Sequence, residues 1–355
     1  LQQSNSKQRP FARRLLAWWD SHGRKDLPWQ SPRSPYRVWV AEIMLQQTQV
    51  KTVIPYFERF VARFPDIPTL AAAAGDDVLA LWSGLGYYAR ARNLHRAAQI
   101  CAAGHGGRLP ETPDALAKLP GIGASTANAI HSQAFDRPAV VLDGNVKRVL
   151  ARHDAIGGWP GQTAVHRELW TRAETRLPDS RGADYTQAVM DLGATLCTRA
   201  NPDCARCPVN ADCRALQTGR VNEFPTPRPR LRAARKAFSM LLLRDDRGRV
   251  LLERRPPAGI WGGLWSLPAD DTGPSFEQRF GTDRDRLRAL PVLEHSLTHM
   301  QMRIQPLMGA AVDLIKGVEC NGQQGWFGAG EWPVLGLPKP VRQLLETHVG
   351  DSNDG

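Results

Sequence analysis

Apolar residues recur at helical spacing up to about residue 216 and in strand-like runs after residue 237. Within 11–22, Phe11, Leu15, Trp18 and Trp19 fall on one side of a helix, which the prolines of the 24–35 loop end. Residues 36–50, YRVWVAEIMLQQTQV, predict a second helix with Trp39, Val40, Ile43 and Met44 on its buried face. Glu42, Leu45, Gln46 and Gln49 stand at i, i+3, i+4 and i+7 and share another face. A carboxylate between Ala41 and Ile43 is unusual in so apolar a helix. Further helices are expected at 53–63, 67–73, 76–83, 88–103, 113–118, 145–154, 162–176 and 184–196.

The pattern then changes. Residues 214–236 carry seven basic side chains against the single acid Glu223, and Pro225, Pro227 and Pro229 favour an extended chain. This is either a solvated linker or one that follows a phosphate backbone. Beyond it, AFSMLLLRDDRGRVLLERR predicts a β-hairpin turning at residues 245–248. A helix near 274–289, strands within 291–313, the Trp326-Phe327 stretch and a closing helix at 338–348 complete the series. The expected architecture is an all-α domain over 1–216, a basic linker over 217–236, a small α+β domain over 237–350 and a tail at 351–355.

Within the helical part, LPGIG (119–123) reads as the hairpin of a helix-hairpin-helix, with helices at 113–118 and from Ala124 to Phe135. Glycines permit backbone angles closed to other residues. Gly121 and Gly123 also leave the amides at the second helix's N-terminus bare, a setting that attracts phosphate. An ordinary glycine turn between two core helices fits the same residues. After a break at Arg137-Pro138, a Val/Leu run ends in Asp143-Gly144-Asn145 at the start of a basic helix. Helix capping is one role for Asp143 and Asn145.

Four of the six cysteines crowd into one loop as Cys197-x6-Cys204-x2-Cys207-x5-Cys213. Four thiolates so close need a cation, and the ligand set suits either zinc or a [4Fe–4S] cluster. In a chain without a secretion signal this favours a metal site over disulfides. Arg199 and Arg206 lie within the loop, while Cys101 and Cys320 read as unpaired structural cysteines. The net charge of +11 suits a polyanionic partner. No apolar run approaches the roughly 18 residues of a membrane span, and the opening LQQSNSKQRP holds no signal-peptide core. A cytoplasmic location is expected, on the nucleoid if the source is bacterial.

Taken together, LPGIG, Asp143 and the four-cysteine loop resemble the helix-hairpin-helix DNA glycosylase superfamily, in its endonuclease III branch. LQQTQV (45–50), GLGYYARARN (84–93) and LDGNVKRVL (142–150) are similar to the MutY-type adenine DNA glycosylases, and the resemblance covers nearly the whole chain. It implies a [4Fe–4S] cluster on Cys197, Cys204, Cys207 and Cys213. It also implies a monomer acting on double-stranded DNA, removing adenine opposite 8-oxoguanine or guanine by hydrolysis of the N-glycosidic bond. Glu42 matches the acid that protonates the departing adenine, a task suited to a carboxyl with a raised pKa. Asp143 matches the carboxylate that stabilises the oxocarbenium-like sugar or adds to it. Asn145 is expected to orient Asp143 or the sugar.

Bifunctional relatives carry a strand-cutting lysine where Ser125 stands, and a hydroxyl cannot form a Schiff base. The resemblance therefore implies a monofunctional enzyme, and Lys147 reads as a phosphate contact. Gln46, Gln47 and Tyr87 match residues that fill the gap left by the flipped base, with Tyr87 the wedge and Tyr88 in the core. Leu45 is expected near the lesion, and Arg24 near the extruded adenine or a phosphate. The second domain resembles the MutT/Nudix fold, but residues 275–289 lack the Glu-rich hydrolase box. It is expected to read the opposite base through Leu297-Thr298-His299, where the family has a Phe-Ser-His type of loop. A bifunctional lyase acting on oxidised pyrimidines is the alternative, against which Ser125 and the second domain argue.

Overall fold

The computed structural model describes residues 9–229, 234–271, 275–281, 286–297, 300–310 and 323–349. The chain packs as two compact units, residues 1–72 with 93–230, and residues 73–92 with 231–355. Among the described residues no helix is long and apolar enough to cross a membrane.

The first unit is helical. It contains α1 (Arg9–His22), α2 (Pro35–Leu45), α3 (Val50–Arg63) and α4 (Ile67–Ala72). The segment 73–92 holds α5 (Gly75–Trp82) and the start of α6 (Ala89–Gly104). The first unit resumes along α6 and continues with α7 (Pro113–Leu116), α8 (Ala124–Phe135), α9 (Gly144–His153), α10 (Thr163–Glu174), α11 (Gly182–Thr195) and α12 (Arg214–Gln217). Phe11, Leu15, Val149, Leu150, Leu169, Val189 and Leu192 meet in one buried cluster. Each such side chain contributes about 1.5–3 kcal/mol when fully buried.

Helix α2 begins where Ser34 caps it, its hydroxyl accepting from the Arg37 amide at 3.3 Å, with Pro35 in the first turn. Trp39, Val40, Ile43 and Met44 are buried as the pattern predicts. The helix does not run to residue 50. It stops at Leu45, Gln47 takes a left-handed conformation (φ 62°), and Gln49 is the residue preceding α3. Gln46 and Gln49 therefore leave the helical face of Glu42. Periodicity cannot register a break at which every residue is compatible with helix.

Two further differences are informative. The expected helical domain over 1–216 does not keep its segment 73–92, which packs with the second unit. There Asp76 pairs with Arg254, Arg92 donates to the Gly262 carbonyl, and the Ser83 hydroxyl donates to Leu337 O at 3.3 Å. Nor is 217–229 a free linker. Phe224 is buried in the first core, Arg152 donates to the carbonyls of Val221 and Phe224, and Arg228 lies over Trp159. Residues 234–236 already belong to a strand.

The second unit is built on β1 (Ala234–Arg244), β2 (Val250–Arg254), β3 (Trp265–Ser266), β4 (Arg288–Ala289), β5 (Leu293–Leu297), β6 (Met300–Ala310) and β7 (Gln324–Phe327). They form a mixed sheet in which β1 runs parallel to β6 and antiparallel to β2. The predicted hairpin is present, with Arg244 opposite Val250. Residues 238–243 of β1 are buried without alternation, as expected of a strand covered on both faces. Helices α13 (Phe276–Phe280) and α14 (Lys339–His348) complete the unit. The former is short because Gly281, at φ 64°, ends it.

Candidate active site

Helices α2, α8, α9 and α11 surround an open cleft of about 950 Å³ in the first unit. Arg24, Glu42, Leu45, Gln46, Gln47, Ser125, Asp143 and Asn145 all line it, and Asp26, Lys51 and Arg148 are its other charged walls. Glu42 and Asp143, 101 positions apart in sequence, thus line the same cleft.

Glu42 is half-buried, and the side-chain amide of Gln133 donates to its Oε1 at 2.6 Å. Burial pushes its pKa from 4.5 up to about 7; the charge of Asp143 adds to the rise, and the Gln133 hydrogen bond opposes it.

Asp143 both caps and faces the cleft. Its Oδ1 accepts from the Val146 amide at 2.7 Å, which starts α9. Its Oδ2 accepts from Asn145 Nδ2 at 3.3 Å, and Asn145 Oδ1 accepts from Arg148 at 2.8 Å. Burial raises its pKa, against hydrogen bonds from the Val146 and Asn145 amides and the Arg148 charge. Gly193 of α11 lets this platform close. An added Cβ there would lie 2.6 Å from Asn145 Cβ and 3.1 Å from its backbone. Arg148 also donates to Gly193 O at 2.7 Å, tying α9 to α11.

The hairpin forms as read, with Gly121 at φ 79° and Gly123 preceding α8. Gly123 has open space where a side chain would stand, whereas a Cβ on Gly121 would meet Asn93 at 2.8 Å. Gln46 donates to Gly121 O at 3.3 Å and to Thr126 Oγ1 at 3.4 Å, so it braces the hairpin. Ser125 Oγ accepts from the Leu142 amide at 3.3 Å. Arg24 is paired with the buried Asp191, its Nε and Nη2 donating to Oδ1 at 2.9 and 2.7 Å. That pairing holds it on the cleft wall. Lys147, Gly121 and Gly123 lie outside the cleft lining.

Tyr87 belongs to the second unit, is 42% exposed and has a left-handed backbone (φ 51°). Tyr88 is half-buried rather than in the core, its hydroxyl accepting from the Gly84 amide at 3.2 Å. Leu297 ends β5, opposite Met300. Thr298 and His299 lie outside the described residues, as does Cys320.

Cys197, Cys204, Cys207 and Cys213 surround a second, small cavity of about 30 Å³. The buried Arg152 donates to Cys197 Sγ at 3.4 Å and to the carbonyls of Thr198 and Arg199. Burial and the neighbouring sulfurs raise the thiols of Cys204, Cys207 and Cys213, that of Cys207 to about 12. Arg199 and Arg206 are exposed, and Cys101 is buried. Sequence reasoning missed Gln30, Gln133, Gln187 and Asp191. Of these only Asp191, a carboxylate in the apolar run VMDLGA, carried a signal.

Comparison with known proteins agrees with this geometry. Residues 40–175 match the HhH-GPD superfamily of base excision DNA repair proteins, and residues 239–347 match the NUDIX domain. The adenine DNA glycosylase of Buchnera aphidicola subsp. Baizongia pistaciae is 35% identical over 338 residues, covering 94% of this chain and 95% of the relative. The human adenine DNA glycosylase is 34% identical over 402 residues, covering 95% of this chain and 70% of the relative. Among solved structures, a thermostable thymine-DNA glycosylase superposes with a TM-score of 0.54 at 27% identity, covering 59% of this chain and 95% of its own. An endonuclease III–DNA complex shares the fold at 21% identity, with a TM-score of 0.50, covering 59% and 94%. With its helical repair domain and Nudix-type second domain, the chain belongs to the adenine DNA glycosylase family of the HhH-GPD superfamily.

Proposed function

We propose that this protein removes adenine mispaired with 8-oxoguanine or guanine in duplex DNA, by hydrolysis of the N-glycosidic bond and without cutting the strand. The observation that carries this reading is that Glu42 and Asp143 line the same cleft, with burial raising the pKa of Glu42 to about 7. Adenine is a poor leaving group, so its N7 must gain a proton as the bond breaks. A carboxyl with a pKa near the working pH is well suited to supply one. The sugar then carries positive charge at C1′. Asp143, held by Val146 and Asn145, offers a fixed carboxylate to that charge. Water completes the hydrolysis. Ser125 stands where a lyase would need an amine, so no covalent imine forms there.

The bare N-terminus of α8 beside Gly123 and the exposed Lys51 suit phosphates flanking an extruded nucleotide. The second unit is assigned the opposite base, through the segment that begins at Leu297. Its α13 carries Glu277 as its only acid, which does not support pyrophosphate hydrolysis.

The four cysteines are assigned to a [4Fe–4S] cluster. They line one cavity together, and four thiolates are the ligand set such a cluster takes. When bound, such a cluster cross-links the loop that presents Arg199 and Arg206. About four iron and four acid-labile sulfide per chain are expected on analysis of the purified protein; one zinc without sulfide would overturn the assignment.

The activity is tested with a duplex holding one A:8-oxoguanine pair. Adenine should be released, and the strand should break only after alkali. Strand cleavage before alkali, or cleavage of oxidised-pyrimidine DNA with no adenine release, refutes the proposal.

A further inference from the structure

A chain of three glutamines runs from Asp191 to Glu42. Arg33 donates to Gln30 Oε1, which leaves Gln30 Nε2 as a pure donor. That nitrogen donates to Gln187 Oε1 at 2.8 Å and to Gln133 Oε1 at 3.2 Å. Both neighbours then have their oxygens occupied and turn their own nitrogens outward. Gln187 donates to Asp191 Oδ1 at 2.7 Å, and Gln133 donates to Glu42 Oε1 at 2.6 Å. Asp191 is fully buried and is also held by the Arg24 amide, the Arg24 guanidinium and Trp19 Nε1. No amide in the row can turn over without setting oxygen against oxygen or nitrogen against a donor. The array thus has one hydrogen-bond direction, set by a guanidinium at its middle and a carboxylate at each end.

We propose that Gln133 is a positioning residue for the catalytic acid, held by Gln30 so that its N–H occupies Glu42 Oε1 and confines the transferable proton to Oε2. This rests on the reading of Glu42 as that acid. The described hydrogen bond to the Glu42 carboxyl falls on Oε1, so Oε2, on the side of the cleft left open by Gln133, is the oxygen able to hand its proton onward. A carboxyl without the Gln133 donor divides its proton between two oxygens and rotates between them. Because a donor to a carboxylate favours the charged form, Gln133 also restrains the rise that burial imposes. The other charged groups facing the cleft around Glu42 are Arg24 and Asp26, Lys51 of α3, and Asp143 and Arg148 of α9. None of them contacts Gln133 among the described hydrogen bonds, so the effect is separable from theirs.

The test is a single-turnover pH profile of adenine release for Gln133→Met, Gln30→Met and the double variant. Methionine preserves approximate volume and removes the donor. Gln133→Met should lower the plateau at least ~10-fold and move the basic limb up by about one pH unit. Binding to a duplex with a non-hydrolysable adenosine should stay as in the wild type. Gln30→Met should act in the same direction, by a few-fold, and should add nothing in the Gln133→Met background. An unmoved limb in Gln133→Met, or effects that multiply in the double variant, overturns the proposal. Should the buried variant fail to fold, the half-buried Gln30→Met decides by the same limb. If Glu42→Gln keeps the wild-type rate, the assignment of Glu42 falls; if only Gln133→Met is silent, the positioning role alone falls.

Discussion

Above about pH 7, Glu42→Gln will melt at a higher temperature than the wild type while releasing adenine about 10²–10⁴-fold more slowly. Both halves follow from one carboxyl. Its pKa is 4.5 in an ordinary setting and about 7 in the fold, so the folded protein holds the proton more tightly than the unfolded chain. The resulting stabilisation is complete below pH 4.5 and is lost as pH rises through 7. Beyond that the folded state carries a buried anion disfavoured by at most ~3 kcal/mol. Glutamine keeps the acceptor for Gln133 and removes the anion, so the stability gain should appear at pH 8 and vanish near pH 4. Melting curves at the two pH values, paired with single-turnover rates, check this. Equal melting temperatures at pH 8, or a rate near wild type, would contradict the role given to Glu42.

The second large effect is expected from Asp143→Asn. Asparagine caps helices about as well as aspartate, so the Val146 amide keeps an acceptor and the melting temperature should change by no more than a few degrees. The negative charge beside the sugar is lost, and the rate should fall at least ~10²–10³-fold. A further sign distinguishes electrostatics from damage. The Asp143 charge helps raise the pKa of Glu42, so in Asp143→Asn the basic limb of the residual activity should move to lower pH. A limb that stays in place with full activity would remove Asp143 from the mechanism. A large drop in melting temperature would instead show that the charge of Asp143 serves the stability of the fold.

Most of the helices, the hairpin glycines, the four cysteines, Glu42 and Asp143 were legible because each rests on a local rule. Helical periodicity needs only neighbours along the chain. A glycine turn declares itself by residues that tolerate left-handed angles, and thiols in one loop declare a shared ligand. The end of α2 at Leu45 was not legible. Its continuation, QQTQV, is no worse a helix than the residues before it, and the turn at Gln47 places Gln46 against the hairpin. The extent of the first domain was misread for a related reason. Residues 73–92 are as helical as their flanks, but Asp76, Ser83 and Arg92 find their partners beyond residue 250. The basic stretch after 214 read as a linker on charge and proline content, although the single apolar Phe224 anchors it in the first core.

By itself, then, the amino-acid order determined the two-part architecture and the family, and singled out Glu42 and Asp143 as the candidate acid and carboxylate, since these reside in residue type and spacing. The working state of those groups belongs to the tertiary structure alone. The pKa of Glu42 rises toward neutrality because the fold desolvates its carboxyl and brings Asp143 to the same cleft. Its proton is directed by Gln133 and Gln30, more than 100 residues apart from each other and unremarkable in composition. Desolvation and the direction of an amide arise from what surrounds a side chain in space, which local sequence does not specify.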